Sequence, residues 1–214
     1  MVQVINANNR HKYVPAVEAM HRDRKKIFVD NLKWNIPVDG EHEIDQFDTP
    51  DATYLVVLDE TKQTHLGSVR LLPTTKPHLL SEVFPMVCDD GVPVGDDIWE
   101  ITRFCAATHL RGRDSFMVQS RLAIGMVELA LLYGITRYTC LAVPAFLSTI
   151  MAVGWECEPL GLPREVNGET VGALLIKISP ATLQLLRMRM GWRHPILELD
   201  AVGHAAATTA AKAA

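Results

Sequence analysis

The sequence predicts a mixed α/β fold in which helices flank one twisted sheet. Patterns typical of strands and helices alternate along the chain, and two adjacent strand-like segments form a hairpin pattern, so both parallel and antiparallel pairing are expected. The 214 residues are 48% hydrophobic and 21% charged, which suits one substantial core better than two. We therefore predict a single domain over residues 1–200, followed by a disordered Ala-rich tail at residues 201–214.

The first half of the chain combines a helical segment, a long loop and two paired strands. Residues 2–5 predict a short strand, and apolar residues at near-helical spacing predict one or two helices over residues 10–30. Residues 33–50 have no clean period and contain Pro and Gly, so we predict a loop of a length that is usually functional or disordered. Residues 53–58 and 66–73 are strand-like on either side of a polar run, which predicts a hairpin.

The second half alternates between strands and helices. An irregular stretch at residues 75–97 precedes a predicted strand at residues 98–106. Apolar residues on one stripe predict a helix over residues 116–133, and Gly134 stands where a helix C-terminus favours glycine. The same patterns predict, in order, a strand at 135–143, a helix at 145–153, strands at 155–160 and 171–178, and a helix at 180–190.

Composition and short motifs argue against several classes of protein. The formal net charge of −4 and the pI near 6.0 argue against a nucleic-acid binder. The longest helical apolar stretch, around residues 126–133, falls short of the roughly 20 residues that span a bilayer. Residues 1–9 do not resemble a leader, so we expect a cytoplasmic protein whose four cysteines, none in a CxxC motif, stay reduced. The histidines show no metal-ligand spacing, so we expect no metal.

An acidic segment in the predicted loop is the most informative local feature. Residues 39–51 contain six acids and neither Lys nor Arg, and four basic residues occur within residues 22–26. A solvated loop beside a basic helix face would account for these charges. Trp34 and Phe47 lie among them, however, and aromatic faces together with carboxylates could instead bind a cationic ligand.

The predicted strand at residues 98–106 carries a Glu and an Arg, which are costly to bury unless they are paired. Strand alternation places Glu100 on one face and Arg103 on the other. One interpretation is a structural salt bridge to a neighbouring element. The other is a general base, Glu100, near a charged organiser, Arg103, with Arg70 joining the network from a neighbouring strand, because buried networks that perturb ionisation concentrate at active sites.

Eight positions combine into one pattern, namely Arg24, Phe28, Trp34, Asp45, Asp48, Arg70, Glu100 and Arg103. The strings RLLPTTKP at residues 70–77 and SEVFP at residues 81–85 accompany them. Order, spacing and strings together resemble the LuxI-type acyl-homoserine lactone synthases, and the resemblance extends over about residues 2–178.

The resemblance implies a fold similar to the GNAT N-acyltransferases, with a V-shaped cleft in the sheet, and it implies a reaction. An acyl thioester acylates the α-amine of S-adenosylmethionine (SAM). The carboxylate of SAM then displaces the sulfonium, which closes a lactone and releases 5′-methylthioadenosine. The expected substrates are therefore SAM and an acyl group carried by coenzyme A or by acyl-carrier protein, without a prosthetic group.

The resemblance also implies roles for individual residues. Glu100 is predicted as the base that deprotonates the amine, with Glu43 or Asp45 as the alternative. The other predicted catalytic side chains attract the sulfonium or hold the geometry, and they are Asp45, Asp48, Arg24, Arg70 and Arg103. The residues predicted to bind substrate wall the cleft, line the acyl pocket or contact a phosphate, and they are Phe28, Trp34, Glu43, Phe104, Thr102, Thr139 and Arg111.

The sequence leaves both acyl-CoA and acyl-carrier protein as candidate acyl donors. Residues 109–115 contain one Gly rather than a glycine-rich run, so Arg111 and Arg113 could hold a phosphate of the donor or could flank an ordinary helix cap. The predicted helix at residues 145–153 has no Lys or Arg to meet an acidic carrier protein, which favours acyl-CoA. The basic residues at 22–26 could dock an acidic carrier protein electrostatically, so acyl-carrier protein is retained as the alternative donor.

Two rival functions are compatible with the same fold. A GNAT acyltransferase that acts on another amine would form no lactone, and it would need neither Trp34 nor the acidic loop. A non-catalytic sensor of SAM or lipid would not need a candidate base together with the arginines. The sequence indicates neither the oligomeric state nor the length of the acyl chain.

Overall fold

The computed structural model describes residues 1–62 and 64–200. The chain packs as two compact units. Unit 1 contains Met1–Arg70, Arg103–Met126 and the described residues from Pro195 onward, whereas unit 2 contains Leu71–Thr102 and Val127–His194. The expectation of one domain over residues 1–200 stays a prediction, and the predicted tail at residues 201–214 lies outside the described residues.

Nine strands and five α-helices occur in the described residues. The strands are β1 (Val2–Ile5), β2 (Thr53–Leu58), β3 (His65–Pro73), β4 (Ile98–Ala106), β5 (Arg137–Ala142), β6 (Glu156–Pro159), β7 (Arg164–Val166), β8 (Glu169–Lys177) and β9 (Leu197–Glu198). The helices are α1 (Val14–Arg24), α2 (Leu79–Glu82), α3 (Gly112–Tyr133), α4 (Pro144–Ala152) and α5 (Pro180–Met190). Shorter helical segments are the 3₁₀ turns Arg10–Lys12 and Pro85–Val87 and the π-helical turn Lys25–Asn31.

In unit 1, β1 lies between β2 and β9. It pairs antiparallel with β2, so that Val4 lies opposite Leu55, and parallel with β9. All four residues of β1 are buried, and Leu55 has no exposed surface. Strands that are buried on both faces read as nearly continuous apolar runs, which is the pattern of β2 over residues 54–58, whereas in β1 the buried Gln3 interrupts the run.

In unit 2, β5 lies between the parallel strand β4 and the antiparallel strand β8. β8 also pairs antiparallel with β6 and β7. Parallel and antiparallel pairs therefore occur in one sheet, and the predicted mixed α/β class is confirmed.

The predicted helical segment at residues 10–30 consists of three consecutive pieces. A 3₁₀ turn precedes α1, which has Pro15 in its first turn, where the missing N–H would have no intrahelical partner in any case. From Lys25 the backbone continues as a π-helical turn as far as Asn31. Isolated π-helical turns are rare and occur frequently at functional sites.

The longest helix, α3, differs from its prediction in two respects. It begins at Gly112 rather than at residue 116, because its polar first turn carries no apolar periodicity. Among the described helices it alone is long and apolar enough to cross a membrane, judged by length and composition, whereas the sequence pattern indicated only a short apolar stretch. Of its most apolar window, 61% is buried inside the protein, as in a core helix. Its end at Tyr133, with Gly134 at φ 73°, agrees with the predicted cap.

The sequence patterns do not predict β7 or β9. These strands have three and two residues, too few to show strand alternation. Pairing decides their conformation, since β7 adds to β8 and β9 adds to β1. By contrast, β1, β2, β4 and α5 have the predicted bounds.

Candidate active site

Three arginines and three carboxylates are buried together in unit 1. They come from α1, from the long loop before β2, and from strands β3 and β4. None of them exposes more than 7% of its side chain. We call this group the charge ring, and its members are Arg24, Glu43, Arg103, Asp45, Arg70 and Asp48.

Arg24 connects two carboxylates of the charge ring. Its Nε donates to Glu43 Oε2 at 2.5 Å. Its two Nη atoms donate to the two carboxylate oxygens of Asp48 at 2.8 and 2.9 Å. This bidentate arrangement adds geometric specificity to the attraction between the charges.

Arg70 and Arg103 share Asp45. Arg70 donates to both oxygens of Asp45 at 2.5 and 2.9 Å, and Arg103 Nη2 donates to Asp45 Oδ2 at 2.7 Å and to Glu43 Oε1 at 3.0 Å. A 3.0 Å contact between Arg70 Nη1 and Asp48 Oδ1 closes the ring. Each carboxylate therefore bridges two guanidinium groups, and the formal charges cancel. In the described part of the chain no group of three His, Cys, Asp or Glu has the arrangement of a metal site.

The charge ring keeps its aspartates ionised. Burial by itself raises the pKa of Asp48, but hydrogen bonds from Arg24 and the charge of Arg70 outweigh it and hold the pKa well below its usual range. Burial is likewise outweighed at Asp45, whose pKa is lowered mainly by its hydrogen bonds with Arg70. A carboxylate with a lowered pKa is a weak proton acceptor near neutral pH, which argues against Asp45 as the base.

Two stacked aromatic side chains lie against the charge ring. The ring centroids of Phe28 and Trp34 are 4.9 Å apart at an interplanar angle of 24°, and Trp34 N donates to Phe28 O at 2.8 Å. The guanidinium carbon of Arg103 lies 5.4 Å from the Phe28 centroid and 5.9 Å from the Trp34 centroid, within cation–π distance. Phe47, which is buried, lies 5.8 Å from the guanidinium carbon of Arg70.

Arg103 has a left-handed backbone conformation within β4, with φ at 53°. Such a conformation is uncommon for a residue with a side chain and costs on the order of 1–3 kcal/mol. It interrupts the strand alternation from which we placed Glu100 and Arg103 on opposite faces, so residue counting no longer determines where Arg103 points. Its Nε and Nη2 bind carboxylates, whereas its Nη1 has no hydrogen-bond partner among the described residues.

Glu100 lies in unit 2 and is fully buried. Its Oε2 accepts a hydrogen bond from Leu79 N at 2.7 Å, and its Oε1 accepts one from Leu80 N at 2.8 Å. These N–H groups belong to the first turn of α2 and have no intrahelical partner. The parallel register of β4 and β5 places Glu100 opposite Thr139. Glu100 therefore anchors α2, and its role as the base stays a prediction.

The remaining predicted residues are divided between the two units. Thr102 and Thr139 are buried in unit 2, and Phe104 is half-buried in unit 1. Arg111 is exposed in unit 1, where its Nη1 donates to two carbonyl oxygens of the preceding loop. The roles predicted for these four residues stay predictions.

A cavity of about 270 Å³ lies at the start of α3 in unit 1. The π-helical turn contributes Ile27 and Asn31 to its wall, and α3 with its preceding loop contributes Arg111, Ser115 and Gln119. Apolar and polar groups therefore share the wall, as in sites for small organic molecules. The residue predicted to contact a phosphate lies on this wall.

His21 and Tyr54 also contact the charge ring, although neither is among the predicted site residues. His21 Nδ1 lies 2.9 Å from the carbonyl oxygen of Glu43, and the Tyr54 hydroxyl donates to Asp48 Oδ1 at 2.7 Å. One signal was available for His21, because it precedes Arg24 by three residues and therefore shares its helix face. Tyr54 lies in an apolar strand and carries no such signal.

We expect the stability of the folded protein to fall as the pH is lowered from 6.5 towards 4, because of His21. Burial, reinforced by the charge of Arg24, lowers the pKa of His21 from 6.5 to about 4. The imidazole of His21 therefore binds a proton at a higher pH in the unfolded chain than in the folded chain. The contribution of neutral His21 to the free energy of unfolding is fully present above pH 6.5 and decreases as the pH falls towards 4. The shift corresponds to about 3 kcal/mol. Urea denaturation between pH 6.5 and 4 measures this loss of unfolding free energy. If His21→Asn lost as much stability over the same range, the pH dependence could not be assigned to His21.

Comparison with known proteins identifies relatives along nearly the whole chain. The family model described as autoinducer synthase matches residues 8–186. The chain is 32% identical over 212 residues to the isovaleryl-homoserine lactone synthase of Bradyrhizobium diazoefficiens, over 96% of this chain and 94% of that protein. It is 31% identical to a solved CoA-dependent acyl-homoserine lactone synthase, BjaI, with SAM and isopentyl-CoA, at a TM-score of 0.86 over 98% of this chain and 99% of that one.

A more distant comparison concerns the fold alone. An acyl-CoA N-acyltransferase from Pseudomonas aeruginosa is 14% identical and aligns at a TM-score of 0.56 over 82% of this chain and 98% of that one. The expected likeness to N-acyltransferase folds is confirmed. The relatives' names agree with the main functional interpretation and not with the two rival functions. The chain therefore belongs to the autoinducer synthase family.

Proposed function

We propose that this chain is an acyl-homoserine-lactone synthase that uses SAM and acyl-CoA. The neutral amine of SAM attacks the thioester carbonyl, so that a C–N bond forms, the C–S bond breaks and the amine proton passes to a base. A carboxylate oxygen of SAM then attacks the γ-carbon, and the electrons of the breaking C–S bond neutralise the sulfonium. The products are coenzyme A, 5′-methylthioadenosine and an N-acyl-L-homoserine lactone, which acts as a quorum-sensing signal.

The observation that carries this proposal is the charge ring with its stacked aromatic side chains. Because the charges of the ring cancel, Asp45 and Asp48 do not offer SAM a net negative charge. The partly exposed ring of Trp34, with the buried ring of Phe28 stacked against it, instead suits a sulfonium cation, since cation–π attraction requires no counter-charge. Arg103 Nη1 has two N–H groups that can donate to the carboxylate of the same molecule.

Each chemical step makes a different demand on the protein. The amine must lose its proton before it attacks, and we assign this task to Glu100, acting directly or through a water molecule. Lactone closure needs mainly a folded methionine chain, because a well-oriented intramolecular reaction can gain about 7–11 kcal/mol over its bimolecular counterpart. We assign substrate binding to three further residues, Phe104, Thr102 and Thr139. The two threonines are proposed to line the pocket for the acyl chain.

Acyl-CoA is the donor that we favour. The solved relative BjaI is described as CoA-dependent, and α4 carries no Lys or Arg that would attract an acidic carrier protein. The cavity at the start of α3 includes Arg111, which could contact a phosphate of the donor. Both proposed substrates are cytoplasmic metabolites, so we place the enzyme in the cytoplasm, without a nucleic-acid or membrane partner.

A direct assay tests the proposed function. The purified chain is incubated with SAM and a panel of acyl-CoA and acyl-carrier thioesters, and the products are identified by mass spectrometry. We expect an acyl-homoserine lactone and 5′-methylthioadenosine in equal amounts with at least one acyl-CoA. An acylated amine without methylthioadenosine would indicate the rival acyltransferase, and binding of SAM without any product would indicate the sensor.

Trp34→Ala is expected to raise the KM for SAM by about three- to thirtyfold, which is the range of cation–π energies. The reason is that the partly exposed aromatic ring of the pair is lost, whereas the charge ring itself is retained. Steady-state kinetics with SAM varied at saturating acyl-CoA measure the change. Trp34→Phe keeps an aromatic face and should recover most of the affinity, and an unchanged KM in Trp34→Ala would make this residue purely structural.

A further inference from the structure

A second layer of side chains contacts the charge ring, and it consists of Arg10, His21 and Tyr54. His21 is 3% exposed and Tyr54 is 1% exposed, and their rings meet edge to face at 6.3 Å. The guanidinium carbon of Arg10 lies 5.5 Å from the centroid of Tyr54. None of the three is a member of the charge ring, although His21 and Tyr54 hydrogen-bond to residues of it.

His21 holds the backbone of Glu43 through two hydrogen bonds. Its Nδ1 donates to the carbonyl oxygen of Glu43 at 2.9 Å, and Glu43 N donates to the carbonyl oxygen of His21 at 3.1 Å. The other ring nitrogen, Nε2, lies 3.2 Å from Arg10 Nη2. Because a carbonyl only accepts and a guanidinium only donates, these two partners select the neutral ring with its proton on Nδ1.

Tyr54 acts on the side chain of Asp48. Its hydroxyl donates to Oδ1 at 2.7 Å, and this oxygen also accepts from Arg24. Hydrogen bonds to an ionised acceptor are about twice as strong as those between neutral groups. Removal of the hydroxyl would leave the Asp48 carboxylate with one donor fewer to fix its position.

The acidic loop depends on such contacts for its shape. Residues 33–51 contain no helix or strand, apart from an isolated bridge between Asp39 and His42. The carboxylates that this loop supplies are bound to all three arginines of the charge ring. A shift of Glu43 or Asp48 would therefore move Arg103, because the ring is closed.

We propose that His21 and Tyr54 are positioning residues for SAM, which hold Glu43 and Asp48 so that Arg103 and the aromatic pair keep the arrangement that binds it. This inference rests on the proposed function and adds two residues to its machinery. They act through the charge ring and do not contact the reacting atoms themselves. Their loss should therefore affect the parameters for SAM and leave those for the acyl donor unchanged.

Tyr54→Phe tests the proposal with the smallest change. We expect kcat/KM for SAM to fall by about tenfold to a hundredfold, the range for a hydrogen bond to a charged group, whereas the KM for acyl-CoA stays within about twofold. Tyr133→Phe is the matched control, because the Tyr133 hydroxyl has no hydrogen-bond partner among the described residues and lies outside the site. A lowered melting temperature with unchanged kcat/KM for SAM would show a purely structural hydroxyl and would overturn the proposal.

A pair of variants of equal size tests His21. Asn can place its side-chain amide near the position of Nδ1 and donate to Glu43, whereas Leu cannot. We therefore expect His21→Asn to retain most of the kcat/KM for SAM and His21→Leu to lose about tenfold. Equal losses in the two variants would overturn the proposed hydrogen-bond role. If the unmodified chain made no lactone, the proposed function itself would fail, whereas an active chain with unaffected Tyr54→Phe and His21→Leu variants would refute only this inference.

Discussion

Glu100→Gln is expected to slow the release of 5′-methylthioadenosine by about 10²- to 10⁴-fold, the usual contribution of a general base. The amide retains the shape of the side chain but cannot take a proton from the amine of SAM. It can also accept from only one of the two N–H groups that Glu100 now binds, at Leu79 and Leu80. Release of methylthioadenosine at saturating SAM and acyl-CoA measures the rate, and circular dichroism shows whether the variant folds.

The control separates loss of the base from loss of a buried anchor. Glu128 is also buried in unit 2, where its carboxylate accepts from Arg187 at 2.7 Å. Glu128→Gln should lower stability and leave the rate close to that of the unmodified chain. Near-normal turnover in Glu100→Gln would remove Glu100 from the chemistry and leave it the anchoring role that its hydrogen bonds define.

Arg24→Met is expected to lower the free energy of unfolding by about 3–5 kcal/mol, as is typical when one partner of a buried ion pair is removed. The substitution keeps the apolar length of the side chain but leaves Glu43 and Asp48 each with one guanidinium fewer in a buried site. The ring would then carry a net negative charge that water cannot solvate. Urea denaturation at neutral pH measures the change, provided that the slope of the transition is unchanged.

Arg22→Met is the matched control, because Arg22 lies two residues away in α1 and is exposed. Substitutions at exposed positions of this kind usually change stability by less than about 0.5 kcal/mol. A similar small change in Arg24→Met would mean that the charge ring contributes little to folding. Lactone synthesis by a stable Arg24→Met variant at the normal rate would, in addition, contradict a role for the ring in binding SAM.

The pairing partners within the charge ring were beyond sequence analysis for a physical reason. Glu41 and Glu43 are chemically alike and two residues apart, yet the first is exposed and the second is fully buried. A loop has no period from which the inward side can be inferred. The same holds for Arg22 and Arg24, since the low amphipathicity of α1 gives no clear buried face in the sequence.

Other parts of the site followed from the sequence. Arg70 and Arg103 are paired with carboxylates in unit 1, as expected for buried charges in strands, whereas the functional interpretation of that network stays a prediction. Phe47, which the sequence places among the acidic residues of the loop, is buried and lies 5.8 Å from the guanidinium carbon of Arg70. Strand alternation is no longer a guide at Arg103, because its left-handed backbone interrupts the regular strand geometry, and the placement of Glu100 and Arg103 on opposite faces stays a prediction.

The sequence by itself determined the α/β class, the bounds of several strands and helices, and the family, because periodicity and the order of signature residues are local properties of the chain. The tertiary structure alone decided which charges pair, that the charges of the ring sum to zero, and that His21 and Tyr54 hydrogen-bond to residues of the ring. The reason is distance along the chain, since Arg24 meets Glu43 across 19 positions and Arg103 meets it across 60. No local pattern encodes contacts of that range. They form only when folding removes these charges from water, because a buried charge is stable only when it is paired.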